Sequence, residues 1–442
     1  MRQAEEFLTG KLWIRNFNPL PKEVVDNAIS SGSISVCLGI TDDKQCRRCL
    51  EKSPQKIVPY TCQACQKICF YCRHCIKMGR ISSCTELITW TQPSTIPLQH
   101  HSFRWNGQLT PPQERASQEI QKSLLENNDH LVYAVCGAGK TELLFPAIFR
   151  ALQKGQRVCV AAPRTDVVLE LAPRLRAVFP TTTIHSLYGD SPAETGFATL
   201  IVATTHQLYR FENAFDVMIV DEADAFPYSY DAALKRAVTK AKKKDAPVVY
   251  VSATPSAQLR KQVLHKSQLF KRFHGHPLPV PRFQALWGYH KEFAKGKIPQ
   301  KLADWVDEKI KKKEPFLLFF PTIELIEQAI VLFQQKHPSI EAVHSKDEKR
   351  KEKIMNLRQG QIPGVLTSTI LERGITIPNV QVAVVGADES IFDASALIQI
   401  SGRVGRAREH PTGDIVFYHN GIARQMDKAK QLILSYNRGG VK

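Results

Sequence analysis

No run in these 442 residues approaches the ~18 consecutive apolar side chains of a membrane helix. The N-terminus, MRQAEEFLTG, also lacks the apolar centre of a secretion signal. Together these absences exclude a bilayer-spanning helix and make a reducing cytoplasm the expected compartment. Acidic residues are scarce beside basic ones: 42 Asp plus Glu face 60 Lys plus Arg, a net charge of +18. That excess favours a polyanionic partner, either nucleic acid or an acidic membrane surface. No fixed-period repeat is present. Cysteine almost vanishes beyond residue 84. Of eleven, nine precede residue 85, and eight lie between Cys46 and Cys84. The other two, Cys136 and Cys159, sit among apolar neighbours and read as core residues. A hydrophobic share of 43% with 23% charged residues is an ordinary globular balance, which excludes a disordered chain and a small disulfide scaffold.

Short apolar runs separated by helix-like segments are what the chain does have. LVYAV (131–135), RVCVAA (157–162), LIVATT (200–205), DVMIV (216–220) and PVVYVSA (247–253) form one series. FLLFF (316–320), GVLTST (364–369), VAVVGA (382–387) and GDIVFYH (413–419) form another. Such runs indicate buried parallel strands in α/β layers. The expected fold class is therefore α/β, with two consecutive parallel-sheet domains behind a cysteine-rich N-terminal module. Three alternating prolines in HGHPLPVPRF (274–283) rule out helix and suggest an extended linker. WTQPSTIPLQHH suggests the other boundary, near residues 90–110. The expected domains are residues 1–90, 91–275 and 276–442.

LVYAV runs straight into CGAGKT and then a helix-forming stretch, the setting of a phosphate-binding loop. Gly137, Ala138 and Gly139 would cradle phosphates with backbone amides, helped by the positive end of the following helix. Lys140 would reach the β and γ phosphates of ATP, and the Thr141 hydroxyl would ligate Mg²⁺. Ala134 stands where the usual pattern begins with Gly. Asp221-Glu222-Ala223-Asp224 directly follows a strand; Asp221 there can hold Mg²⁺ and Glu222 can polarise a water. Ser252-Ala253-Thr254 ends another strand. Arg403 and Arg406, three residues apart, are expected on one helical face, from which they could reach a γ-phosphate across a cleft.

These motifs together resemble superfamily 2 helicases and translocases, the DEAD-box and PriA-like motors with tandem RecA-like lobes. More closely, the chain resembles the late-competence DNA helicase/translocase family ComFA of transformable Gram-positive bacteria. The residues that carry the likeness are AVCGAGKTELLFP, VAAPRTDVVLELAPRL, TTHQL, DVMIVDEADAFPYS, VSATP, TSTILERGITIPN, QISGRVGR and, in the cysteine module, YCRHCIKMGR. The resemblance implies ATP, Mg²⁺ and Zn²⁺ as cofactors and single-stranded DNA as substrate. It also implies work with the phosphoribosyltransferase-like ComFC, the DNA-uptake channel and the recombination mediator at the inner face of the cell membrane. It makes Ser252 and Thr254 the couplers of hydrolysis to lobe movement, and Arg403 and Arg406 arginine fingers. It places Pro163, Arg164, Thr204 and Thr205 on the nucleic-acid backbone of the first lobe, and Thr367 and Arg373 on that of the second. Gly374 falls among the nucleotide-site positions.

Two positions depart from the DEAD-box pattern: Thr376 replaces the usual Asp, and Gln399 the usual His. An RNA helicase is the second reading, favoured by the DEAD tetrapeptide and opposed by those departures and the cysteine module. A third is an ATP-gated clamp that binds DNA without moving. Gln113 is also open. The segment from Trp105 to Gln113 resembles the element that recognises adenine, with Phe103 or Trp105 stacking on the base. The same letters make a helix start, with Thr110 as N-cap, Pro111 at N1 and Gln113 completing a capping box.

The cysteine spacing is Cys46-x2-Cys49, Cys62-x2-Cys65, Cys69-x2-Cys72-x2-Cys75, then Cys84. Paired C-x-x-C knuckles present thiolates to tetrahedral Zn²⁺, and eight cysteines suit two four-cysteine sites. The family resemblance groups Cys46, Cys49, Cys72 and Cys75, which leaves Cys62, Cys65, Cys69 and Cys84 for a second site. His74, inside a knuckle, is expected to point outward. Residues 44–80 hold nine Lys or Arg and one Glu, so the module stays basic even with two sites filled. Contact with DNA phosphate and a bracing role against the motor are both open readings of this module. The basic runs at 235–244, 309–314 and 346–353 read mostly as solvated helix faces.

Overall fold

Strands rich in Val, Ile and Leu, apolar on both faces, need cover on both sides, and this chain supplies it with helices. The computed structural model describes all residues except Asp190, Ala193, Gly374, Ile375, Val441 and Lys442. Its contacts gather into two compact units: Met1–Tyr133 with Lys140–Gln268, and Ala134–Gly139 with Leu269–Lys442.

The first unit is built on a seven-stranded sheet. Its strand order is His265–Leu269, His130–Ala134, Val248–Ser252, Val217–Val220, Val158–Ala162, Leu200–Thr204 and Ile184–Leu187. Neighbours from His130–Ala134 to Ile184–Leu187 run parallel, with Met218 opposite Cys159 and Val248, and Ser252 opposite Tyr133. Leu131, Val132, Val202 and Val249 are completely buried. Parallel strands need long crossovers, and helices such as Thr165–Val178 and Ala232–Ala241 provide them.

The second unit holds a six-stranded sheet in the order Arg282–Ala285, Ile415–His419, Gln381–Val384, Phe316–Phe319, Gly364–Thr367 and Glu341–Val343. All its described pairings are parallel. Every apolar run singled out in the sequence became a strand, with ends that differ by one to three residues. HGHPLPVPRF is extended without regular structure until Arg282, where it enters the edge strand of this sheet.

The N-terminal region belongs to the first unit. A three-stranded antiparallel sheet (Trp13–Ile14, Glu86–Trp90, Ile34–Leu38) covers two helices, Arg2–Leu8 and Lys22–Ser30, over a small core of Phe7, Leu8, Val25, Ile34 and Ile88. A hairpin, Ile57–Thr61 with Ile68–Cys72, carries the cysteine-rich part. One apolar core runs without a break from Leu12, Ile14, Cys46, Cys49, Cys72 and Cys75 into Cys159, Tyr209, Phe211, Phe215 and Leu234 beneath the large sheet. Cys136 and Cys159 are buried, as expected of core residues.

Candidate functional site

Nucleotide-site candidates lie where strands of the seven-stranded sheet end: Lys140, Thr141 and Asp221 in the first unit, Gly137 and Gly139 in the short segment that groups with the second. Gly137 and Gly139 adopt φ of +80° and +72°, a left-handed conformation that side chains resist, so glycine is favoured at both positions. Lys140 and Thr141 follow at the head of a 3-10 turn, Glu142–Leu144, that leads into the helix Phe145–Gln153. A residue not singled out in the sequence organises this turn. Arg174, on the helix Thr165–Val178, ion-pairs with Glu142 and lies 3.4 Å from the Thr141 hydroxyl. Its one readable signal is a position three turns into an amphipathic helix.

Asp221 leaves the strand Val217–Val220, and its carboxylate accepts the backbone N–H of Glu222 at 2.9 Å. Glu222 has φ +53°, unusual for a residue with a side chain. Such a conformation costs on the order of 1–3 kcal/mol and persists only where its surroundings impose it. Here the imposing groups are bonds from Asp221 N to Ala161 O (2.8 Å) and from Ala223 N to Val251 O (3.0 Å), which staple the turn to both adjacent strands. Asp224 then spans to the neighbouring strand end. Its carboxylate accepts the hydroxyls of Ser252 (2.6 Å) and Thr254 (2.7 Å). The acidic tetrapeptide and Ser252-Ala253-Thr254 are thus one hydrogen-bonded assembly, so a change at Asp221 or Glu222 has a short path through Asp224 to Thr254.

Other candidates are placed as follows. Gln113 forms the capping box: its Oε1 accepts from Thr110 N (2.8 Å) and Thr110 Oγ1 (2.9 Å), and it is buried. Phe103 stacks on Phe149 at 5.1 Å, and Trp105 meets Phe145 edge-on at 5.7 Å, so both rings pack on the helix Phe145–Gln153. Pro163, Thr204 and Thr205 are buried, while Arg164 is half-buried at the start of the helix Thr165–Val178. In the second unit Thr367 is fully buried and donates to Val343 O at 2.8 Å. Arg373 is buried beside Glu372. Gln399 is buried, and Gly374 lies outside the described residues.

The two arginines differ from expectation. The helix Ala394–Ser401 stops before them, and Arg403 and Arg406 lie in and after the turn that follows, where Gly405 takes φ +69°. They do not share a helical face, because Gly402 and Gly405 unwind the segment. Arg403 is buried, with Nε donating to Glu372 O at 2.9 Å. Arg406 is half-buried and donates from Nε to Gly402 O at 3.0 Å.

The cysteines form two clusters, Cys46/Cys49/Cys72/Cys75 and Cys62/Cys65/Cys69/Cys84, each with its sulfurs within 4.8 Å of one another. These are the two groupings expected. Both begin with the same knuckle: Leu50 N donates to Cys46 O and Gln66 N to Cys62 O, with Leu50 and Gln66 at positive φ. Hydrogen bonds among the four buried thiols split them: Cys72 and Cys75 are pushed down, Cys46 and Cys49 up. Arg48, buried between the knuckles, donates to Cys75 O (2.9 Å), Met78 O (2.9 Å) and Gly79 O, and its Nε lies 3.4 Å from Cys75 Sγ. His74 does not face solvent. Its Nε2 is 2.7 Å from the Tyr209 hydroxyl and 3.8 Å from Asp231, because the core joining module and sheet closes over the knuckle. The basic runs are mostly solvated, but Lys309 is buried among Glu308, Glu314 and Asp414.

Comparison with known proteins agrees along the whole chain. Residues 1–89 match the competence protein ComFA N-terminal domain, 110–262 the DEAD/DEAH box helicases, and 298–408 the helicase conserved C-terminal domain. Competence protein ComFA of Bacillus subtilis (strain 168) is 39% identical over 443 residues, 99% of this chain and 95% of that one. Its namesake in Streptococcus pneumoniae (strain ATCC BAA-255 / R6) is 39% identical over 376 residues, 84% of this chain and 86% of that one. Two solved structures share the fold of the paired sheets. S. cerevisiae Dbp5 bound to RNA and ADP BeF3 matches 76% of this chain and 93% of its own, with TM-score 0.54 and 16% identity. RecG bound to a three-way DNA junction matches 74% of this chain and 45% of its own, with TM-score 0.51 and 16% identity. The two parallel sheets are RecA-like lobes, and the chain belongs to the ComFA family of competence proteins, ATP-hydrolysing superfamily 2 helicases that carry a cysteine-rich N-terminal domain.

Proposed function

We propose that this chain is an ATP-driven translocase on single-stranded DNA that draws transforming DNA inward during competence. Family membership supports the DNA-uptake role. The observation that carries the motor reading is the bonded assembly of Asp221, Glu222 and Asp224 with Ser252 and Thr254. Lys140 neutralises the β and γ phosphates, and Gly137, Ala138 and Gly139 wrap them with backbone N–H groups. Thr141 and Asp221 supply the oxygens that would hold Mg²⁺, whose charge offsets that on the phosphates. Glu222, fixed by its strained backbone, orients and polarises the attacking water. Loss of the γ-phosphate is felt at Asp221 and Glu222 and passes through Asp224 to Ser252 and Thr254. Arg403 and Arg406 act as the arginine fingers, and Arg406 is the more accessible of the two. Pro163, Arg164, Thr204, Thr205, Thr367 and Arg373 line the DNA path, and Gln113 fixes the helix that precedes the phosphate loop.

Each cysteine cluster would hold one Zn²⁺, since four thiol donors at this spacing are the tetrahedral set that ion prefers. The metal supplies a cross-link rather than chemistry on a substrate. No helix among the described residues is long and apolar enough to cross a membrane. Peripheral attachment at the inner face would therefore run through partners: ComFC, the DNA-uptake channel and the recombination mediator.

The test is ATPase activity with single-stranded DNA, duplex DNA and RNA compared, using Lys140→Ala as control. Strong stimulation by single-stranded DNA and loss of turnover in the variant are expected. Equal or greater stimulation by RNA replaces this reading with an RNA helicase. Stimulation without strand movement in a translocation assay replaces it with a clamp.

A further inference from the structure

The segment that follows the acidic tetrapeptide, Ala225 to Tyr230, is built unlike the rest of the first unit. Ala225 and Tyr228 are buried and anchor it, whereas Phe226 is 65% exposed and Tyr230 74% exposed. The two exposed rings lie 6.4 Å apart. They are not on a slack loop. Ser229 N donates to Ala225 O (3.1 Å), and Tyr230 N and Asp231 N both donate to Pro227 O (3.2 and 3.0 Å). Asp231 then caps the helix Ala232–Ala241. Each ring leaves apolar surface, up to ~150–250 Å² when fully buried, open to a stacking ligand.

Neighbouring groups say which one. Asp231 lies 3.8 Å from His74, which places this turn against the 3-10 helix Arg73–Met78 of the cysteine module. On that helix Arg73, Ile76 and Lys77 are exposed, and neither Arg73 nor Lys77 has an ion-pair partner among the described residues. The stretch from Arg73 to Arg80 contains three cations and no carboxylate. His206, exposed on the turn Thr205–Arg210, lies within reach of the charges of His74, Lys77 and Asp231. That turn begins at Thr205, directly after the strand that Thr204 ends. Exposed aromatic faces beside uncompensated cations are the chemistry that holds single-stranded nucleic acid, because every base has a π-face and every step a phosphate.

We infer that Phe226 and Tyr230 form a base-stacking platform for single-stranded DNA, with Arg73 and Lys77 of the cysteine module contacting the phosphates beside it. This rests on the single-stranded-DNA reading above and deepens it. It extends the DNA path from the first lobe onto the module, and it places a DNA contact six residues or fewer from Asp224.

The experiment measures binding of the full chain to a labelled oligo-dT and to a duplex, for Phe226→Ala, Tyr230→Ala, Tyr230→Phe, Phe226→Trp and Lys77→Glu. Alanine at either aromatic position should weaken oligo-dT binding about tenfold, from ~1–3 kcal/mol of stacking per base. Tyr230→Phe should bind as the parent does, since the ring is kept. Phe226→Trp emission should be quenched by oligo-dT. Lys77→Glu should lower the slope of log affinity against log salt by about one. Duplex binding should hardly change with the alanine variants, because its bases are already stacked. Unaltered zinc content and thermal midpoint verify folding, and the conservative Phe226→Trp keeps the question open to test if an alanine variant fails to fold. Oligo-dT affinity within twofold of the parent, equal losses on duplex, or an unquenched tryptophan overturns the platform. If the parent itself shows no preference for single strands, the translocase reading has failed first.

Discussion

The two cysteine clusters share ligand chemistry, spacing and the same opening knuckle, yet they sit in opposite settings. Cys46, Cys49, Cys72 and Cys75 are at most 1% exposed and belong to the core that continues beneath the first lobe's sheet. Cys62 and Cys69 are buried, Cys65 is half-buried and Cys84 is exposed, at the far end of the hairpin from that core. Four thiolates in a core need a cation to offset their charge, so a metal held there would be tied to folding. Four thiols on a rim can be solvated. Identical chemistry is therefore expected to do different work: the first cluster would join the module to the motor, and the second would shape the hairpin tip. The joint is reinforced by polar contacts that cross it: Arg236 with Glu51 (3.0 Å) and His74 with Tyr209 (2.7 Å).

The largest effect that would test this contrast is Cys49→Ser. Losing a buried ligand should forfeit most of the metal's contribution to folding, comparable with the whole ~5–15 kcal/mol stability of a domain. The variant should be recovered largely unfolded or aggregated, read by thermal unfolding and by ATPase activity, which should fall with it. A well-folded Cys49→Ser protein that keeps its ATPase would refute the joint. Next in size is Arg48→Met. It leaves the carbonyls of Cys75, Met78 and Gly79 without their donor and takes a cation from beside the thiolates. A loss of about 3 kcal/mol is expected, seen as a lower urea midpoint. Arg48→Lys should recover only part of it, since one ammonium cannot fork to three carbonyls.

The same contrast marks what could be read from sequence. Central strands were legible because two covered faces demand continuous apolar runs such as FLLFF. Edge strands were not: His265–Leu269 reads HKSQL and Glu341–Val343 has three residues, because an edge needs little apolar cover. The phosphate loop and the acidic tetrapeptide were legible as local strings. The bonds from Asp224 to Ser252 and Thr254 were not, since they span 28 and 30 residues and depend on strand order. QISGRVGR misled because it was judged by the three-residue spacing of its arginines, while its glycines end the helix first. In CRRC the letters do not distinguish Arg47, which is exposed, from Arg48, which is buried; only the knuckle's turn does. His74 misled for a related reason, since "outward" from a knuckle leads here into the lobe rather than into water.

The smallest and most discriminating effect belongs to Cys84→Ser. Cys84 sits in a loop that stays tethered without it. Cys72 N donates to Ile81 O (2.9 Å), Ser83 N to Phe70 O (2.9 Å) and Ser82 N to Thr85 Oγ1 (2.9 Å). With the backbone held by these bonds, losing a rim ligand should cost no more than ~1 kcal/mol, within the range of an ordinary surface change. Metal analysis should nonetheless fall from near two zinc ions per chain to near one, because three thiols hold zinc far less firmly than four. Zinc content and stability would thus separate in Cys84→Ser and fall together in Cys49→Ser. If Cys84→Ser unfolds as Cys49→Ser does, the rim cluster also holds the fold and burial does not divide their roles. If the parent itself carries only one zinc, the exposed thiols never closed on a metal, and the hairpin tip is kept by its hydrogen bonds alone.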